Sequence, residues 1–367
     1  MLDAGFHRAC VALTAVAGVV GAQSPGTADS VPRYSRVTSV RELSGGRVLV
    51  SDAGLSRVDV LNAELRFLRA AARQGEGPLE YGSSDLLLVA GDSTLVVDDI
   101  GSSLLVLDPE ARPVAKRGYR RPQRGERALV SEVRGSDRAG RLYFTGFRTG
   151  ANPTSPRDSA PLLRWTKTTD AIDTVTWIRV PVPGLRPSET NPDSLMNARP
   201  DPFEWRDVWS VAPDGRVVVV RGDDYHVEWI EGDGRRTIGP ALEIPRARVS
   251  AEDIQRIRDT KFTIATPEGP RTISAATGAR VSNVKSHVAE GTMPRVDPEG
   301  RVWVERSRET GENRVTYDLF DRSGSAVLTV QVAHGARVAG FGAQAVYATR
   351  PVDGGRVEVT KGRRPPQ

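Results

Sequence analysis

The chain has 367 residues, with 51 Lys plus Arg against 46 Asp plus Glu, for a net charge of +5. An apolar share of 38% is enough for a core and excludes a wholly disordered chain, while 36 Gly and 25 Pro place too many turns for a long helical bundle. Forty-six of the 51 basic residues are Arg, scattered among acids, which argues against a nucleic-acid surface, where basic and aromatic residues cluster.

The N-terminus reads as an address. Ala9–Val20 is an apolar run of 12 residues behind Arg8. It is shorter than the roughly 20 residues of a membrane span and has the length of a signal-peptide core. Val20-Gly21-Ala22 supplies small residues for cleavage, so residues 1–22 are expected to be a signal peptide and 23–30 a flexible linker. The single Cys, Cys10, lies in the leader, so the mature chain has no disulfide and no Cys–zinc site. A periplasmic or secreted protein without a membrane span is expected.

Next in chain order comes a repeat. Short apolar strands begin at Arg47, Thr94, Arg141, Arg216, Arg301 and Gln344, spaced 47, 47, 75, 85 and 43 residues apart. Four follow glycine turns: Ser44-Gly45-Gly46, Ala139-Gly140, Pro213-Asp214-Gly215 and Pro298-Glu299-Gly300. Each is followed by a triplet with apolar flanks: Val58-Asp59-Val60, Leu104-Leu105-Val106, Leu163-Arg164-Trp165, Val227-Glu228-Trp229, Tyr317-Asp318-Leu319 and Val357-Glu358-Val359. A period of two predicts strands with one buried face. Asn62, Asp108, Glu231 and Asp321 then open the next turn, and another strand follows, as at Arg66–Ala70 and Val327–Val332. An upstream strand precedes each turn, such as Val37–Leu43, Asp85–Val89 and Asp207–Val211.

Units of about four strands cannot bury their faces alone but can when stacked in a ring. The expected fold is therefore all-β: a six-bladed β-propeller of four-stranded antiparallel blades over 31–361, with 362–367 a disordered tail. The long spacings mark insertions. Residues 241–292, between blades four and five, should hold one helix, with Ser250 as N-cap, Asp253 three residues on, and Ile254 and Ile257 on one face. The last blade lacks a fourth strand, and Ser30–Arg36 is expected to supply it by pairing with Arg356–Thr360.

The string from Arg73 to Tyr81, RQGEGPLEY, resembles the G-x-G-x-G-P-x-E-[FY] connector of bacterial exported six-bladed propellers of the NHL-repeat and TolB-like kind, with Gln74 at a position that is commonly small. Val58–Asn62 and Asp98–Asp108 resemble NHL-type blades. The resemblance covers Val37 to Lys361 and implies the fold; one such fold hosts many activities.

Candidate sites are few. Gly75-Glu76-Gly77-Pro78 could form an anion-binding nest, but it opens no helix and reads better as a fixed turn, with Glu76 or Glu80 bonding local backbone. Asp52, Asp98, Asp99, Asp223 and Asp224 all follow a strand of the repeat. They could hold calcium, yet their recurrence in three units favours turn closure, so no metal and no cofactor are assigned. His226 and His334 read as edge residues, while His287 could reach the central channel. The residues expected to face the axis as ligand-binding groups are Asp85, Glu132, Asp207, His287, Arg295 and Arg337. With Thr38 they mix acid and base, and should pair as a polar plug. No G-x-S-x-G or Cys nucleophile is present. The expected function is an exported, monomeric, non-catalytic propeller binding a protein, peptide or glycan on one face, for example as an envelope adaptor. The alternative is a metal-assisted lactonase-like hydrolase or lyase, with ligands drawn from Glu132, Asp207, Asn283, His287 and Asp297.

Overall fold

A computed structural model describes residues 31–366 apart from 83–85, 99–102, 121–128, 148–158, 181–200, 202, 260, 267–268, 275–280 and 334; the side chains of 129–132, 147, 261–266 and 269–274 are also outside it. The signal-peptide and linker assignments fall outside the described residues.

The described chain is nearly all β. The strands β1 (Val37–Glu42), β2 (Val48–Asp52), β3 (Arg57–Leu61) and β4 (Phe67–Ala70) form an antiparallel set. β5 (Leu86–Ala90), β6 (Ser93–Asp98), β7 (Ser103–Leu107) and β8 (Pro113–Gly118) form the next. β9 (Leu129–Ser136), β10 (Leu142–Phe147), β11 (Ser159–Thr166) and β12 (Ala171–Arg179) follow, then β13 (Val208–Val211), β14 (Val217–Arg221), β15 (His226–Ile230) and β16 (Arg236–Ile238). The helix α1 (Ala251–Asp259) and a hairpin of β17 (Lys261–Thr266) and β18 (Gly269–Ser274) interrupt the pattern. β19 (Arg295–Val296), β20 (Val302–Glu305), β21 (Val315–Phe320) and β22 (Ala326–Val332) resume it, and β23 (Arg337–Phe341), β24 (Ala345–Val352) and β25 (Arg356–Arg363) end it.

One hairpin is used repeatedly. The amides of Leu43, Asp137, Ala212 and Asp297 bond the carbonyls of Arg47, Arg141, Arg216 and Arg301. The amides of Gly46, Gly140, Gly215 and Gly300 bond back three residues to the same four positions. These glycines have φ of 77°, 75°, 89° and 83°, in the left-handed region where a Cβ is penalised, which is why Gly recurs there. The next turn is closed by side chains. Asn62 Oδ1 accepts from the amides of Glu64 and Arg66, Asp108 Oδ1 from Glu110 and Arg112, and Asp321 Oδ1 from Ser323 and Ser325.

The inner strands β1, β5, β9, β13 and β19 lie side by side in chain order, and β1 pairs in parallel with β23 at Val40↔Gly340 and Arg41↔Phe341. Sheets radiating from neighbouring inner strands are the arrangement of a β-propeller. Its core is accordingly a set of layers between consecutive sheets. Leu49, Val58 and Val60 meet Leu87, Val96 and Leu105; Val218, Val220 and Trp229 meet Val302, Val304 and Phe320; Tyr347 and Val359 meet Val48 and Val50.

This layering corrects the expectation of one buried face per strand. All residues of β2, β7 and β21 are buried, including Asp318, as are Asp59 of β3 and Glu228 of β15. A strand inside one sheet is covered on both faces by the sheets beside it, so the charged middle of the triplet faces a neighbour and must be paired. The outermost strands β4 and β16 are largely exposed.

The end of the chain is also ordered further than expected. β25 runs to Arg363, the Arg364 amide bonds the Gln344 carbonyl at 3.1 Å, and Arg301 donates to the carbonyls of Pro365 and Pro366. Residues 362–366 therefore belong to the fold and are not a loose tail. The N-terminal segment pairs as a single antiparallel bridge, Tyr34↔Val357, with N–H···O distances of 2.8 and 2.9 Å. Tyr34 is buried, and Asp52 accepts from the amides of Ser35 and Arg36. A chain beginning at Val37 should lose this bridge and expose the β25 edge, lowering the melting temperature by several degrees. An unchanged melting curve would show that the bridge carries no stability.

Candidate ligand-binding face

In an antiparallel sheet the connection from second to third strand and the link from outermost strand to the next inner strand fall at the same end. One face therefore gathers the described β2–β3, β14–β15 and β20–β21 connections with the Arg73–Gly82 connector and the described residues of 241–292.

The connector is a closed turn. The Gly75 amide bonds the Tyr81 carbonyl at 2.9 Å, and the Gly77 amide donates to Glu80 Oε2 at 3.0 Å. A Cβ on Gly75 would meet Glu80 Oε2 at 2.1 Å, so the glycine makes room for that carboxylate. The nest holds an anion of its own. Buried Tyr81 ties the connector down, donating to the Ser56 carbonyl and accepting from the Val58 amide.

The insertion is anchored by a reciprocal cap at α1. Ser250 Oγ accepts from the Asp253 amide at 3.0 Å, and Asp253 Oδ2 accepts from the Ser250 amide at 3.0 Å. Asp253 is 1% exposed and also accepts from Lys285 Nζ at 2.8 Å and Thr310 Oγ1 at 2.8 Å. Burial alone would raise its pKa; the Lys285 ammonium and the Ser250 and Thr310 donors outweigh it and hold the carboxyl well below its ordinary value. A depressed folded pKa contributes stability above the unfolded value near about 3.9, lost as pH falls through the folded value. The stability gap between the wild-type chain and Asp253→Asn should therefore be constant from pH 7 to 5 and narrow toward pH 2 in urea titrations. A gap that widens on acidification would contradict the pairing.

The expected site residues are placed as follows. Asp85 lies outside the described residues, and Glu132 lies in β9 with its side chain outside them. Asp207 is buried; Oδ2 accepts from the Arg179 amide at 2.8 Å and from Arg221 Nη1 at 2.6 Å, and Oδ1 from the Gly222 amide. Arg295 of β19 donates to the Thr38 carbonyl of β1 at 2.9 Å, and Arg337 of β23 pairs with Glu305 of β20 at 3.5 Å. Asp297 accepts from Arg301 Nε and Trp303 Nε1 at 2.8 and 3.0 Å. The Asn283 carbonyl accepts from the Val249 amide. Asp52 accepts from the amides of Gly54 and Leu55 in its own turn and of Ser35 and Arg36 in the N-terminal segment, and Asp98 accepts from the Gly82 amide of the connector, whereas Asp99 and His334 lie outside the described residues.

His287 comes together with residues far away in sequence. Its ring stacks on Tyr225 at 4.9 Å and 13°, and Nε2 lies 3.1 Å from the Ile244 carbonyl. Burial, with Arg246 and Arg306 nearby, holds its pKa below the ordinary histidine value. Tyr225 donates to Asp318 Oδ2 at 2.7 Å, and Arg306 grips both oxygens of Asp318, through Nε at 2.9 Å and through Nη2.

The β14–β15 turn carries a second group that sequence reasoning divided between turn closure and a strand edge. His226 Nδ1 lies 2.5 Å from Asp224 Oδ1, its Nε2 lies 3.3 Å from Glu228 Oε1, and Asp223 stands beside them. The D-D-x-H spacing was visible in the sequence, but the recurrence of Asp at Asp52 and Asp98 obscured it.

No family model matches the chain, and no curated protein matches it. Solved structures do. An exported protein of Bacteroides fragilis is 12% identical over 88% of this chain and 81% of its own, with a TM-score of 0.46. A gluconolactonase of Xanthomonas campestris is 9% identical over 90% and 88%, with a TM-score of 0.45. Regucalcin of Agrobacterium tumefaciens, a calcium-binding protein, is 11% identical over 91% and 93%, with a TM-score of 0.41. Likenesses at this level assign no activity to the chain. Among the described residues, no helix is long and apolar enough to cross a membrane.

Proposed function

We propose that the chain is an exported, monomeric β-propeller of six blades, of the NHL or TolB-like kind, that binds a protein, peptide or glycan without catalysis. The face we assign to binding carries residues 241–292. The observation that carries this reading is the anchored insertion: Asp253 fixes α1 to Lys285 and Thr310, so the helix is held as a preformed surface. Glu252, Gln255, Arg256 and Asp259 line an open depression of about 420 Å³ on that helix, with charged groups of both signs around it. Export is supported by the leader pattern of residues 1–22. The polar side chains meant for the axis are engaged with framework partners, Asp207 with Arg221 and Arg295 with Thr38, which supports a structural plug.

Peptide and glycan arrays probed with the purified chain test this. Binding reduced at least tenfold by Glu252→Arg with Arg256→Glu supports the assigned face. Binding indifferent to that pair, or lactone turnover on adding calcium or zinc, would overturn the reading.

A further inference from the structure

We propose that Asp223, Asp224 and His226 form a binding site for a divalent transition-metal ion of the zinc type, at the turn between β14 and β15. One ligand atom from each lies within 4.8 Å of the others, so a single ion can reach all three after a small adjustment. Both aspartates are exposed and the imidazole is half-buried, which leaves the position open to entry from solvent.

The imidazole is oriented from behind. Glu228 is 7% exposed, and its Oε2 accepts from Arg221 at 2.8 Å and Arg236 at 3.4 Å, leaving Oε1 for His226 Nε2 at 3.3 Å. With Nε2–H donated to that carboxylate, Nδ1 is the nitrogen left to face Asp224, and its lone pair becomes free for an ion once the proton it shares with Asp224 Oδ1 leaves. A carboxylate behind a histidine is the usual support of a metal-bound imidazole, fixing tautomer and ring direction.

The turn is also held in place. Arg246, from the insertion, donates to the Asp223 carbonyl at 2.6 Å. Tyr225, between the aspartates and the histidine, sits at φ 58°, an unusual conformation for a bulky residue. Burial, the stack on His287 and the bond to Asp318 hold it there. Asp224 and His226 therefore flank a fixed point.

Donor chemistry selects the ion. One imidazole nitrogen and two carboxylates suit zinc, cobalt, nickel or manganese; calcium wants six to eight oxygens. Three protein ligands leave a coordination position for water. On binding, the ion takes the place of the proton between Nδ1 and Asp224 Oδ1, and that proton leaves to solvent. The site does not depend on the chain's binding partner, nor on whether the assigned binding face is correct.

Calorimetric titration of the tag-free chain with zinc, with native mass spectrometry for stoichiometry, tests the assignment. The expected result is one equivalent bound, weakened at least tenfold by Asp224→Asn and by His226→Gln. Asp233→Asn, at an exposed carboxylate on the same sheet, should leave it unchanged. Should either variant prove unfolded in urea titrations, Asp223→Asn serves, since that side chain is exposed and supports no core contact. Cobalt in place of zinc should give visible d–d absorption that His226→Gln removes. No saturable zinc binding, affinity unchanged in these variants, or preference for calcium would overturn the assignment.

Discussion

Gly340→Val should unseat the contact between the first and last inner strands and cost more than about 3 kcal/mol. A Cβ at Gly340 would lie 1.8 Å from the Val40 carbonyl oxygen and 2.7 Å from its carbon. Real side chains do not approach backbone so closely, and neither strand can retreat. Val40 is buried against Tyr347 and Val50, and the two strands are in parallel register at this residue. The strands must separate, and the layer between the first and last sheets opens with them. Gly118→Ala is the control: nothing lies within 4 Å of its Cβ and its φ is unremarkable, so the change should fall within about 0.5 kcal/mol. Urea denaturation of both variants decides the matter. Equal midpoints would mean that the β1–β23 approach is not tight in solution.

A comparable loss is expected from Asp318→Ala. Asp318 is 1% exposed and accepts from Nε and Nη2 of Arg306, the Tyr225 hydroxyl and the Thr329 hydroxyl. Removing it strands a half-buried guanidinium and a buried phenol, which typically costs about 3–5 kcal/mol. Arg306→Met together with Asp318→Leu removes both charges and should recover most of that loss. If the single substitution costs under about 1 kcal/mol, or the double is no better than the single, the pair does not tie the two sheets together.

The parts of the fold that were legible in the sequence are those whose cause is local. Gly46, Gly140, Gly215 and Gly300 mark hairpins because the turn itself demands a left-handed residue. The Ser250–Asp253 cap announces α1 because its hydrogen bonds span three residues. The triplets gave the strands, but period two could not say what covers the second face. That depends on the next sheet: Tyr225 meets Asp318 across 93 positions. The β17–β18 hairpin within the insertion was not anticipated; Thr266-Pro267-Glu268-Gly269 between two β-rich strings was the available signal. At the candidate site, Asp223, Asp224 and His226 were each noticed, but their convergence with buried Glu228 needed the β15 register, and the tie to Arg246 needed the insertion's path.

The single bridge between Tyr34 and Val357 has a mechanical corollary. Among the described residues, the backbone of the N-terminal segment is spliced to β25 by that bridge alone, so a pull on it loads two backbone hydrogen bonds before it reaches any full strand. Such a splice should peel open in sequence and not shear as a unit. Joining the two ends with a linker and cutting instead in the exposed 311–314 turn would move the weak point away from the splice. In force spectroscopy that permuted chain should lack the early low-force event expected of the natural connectivity.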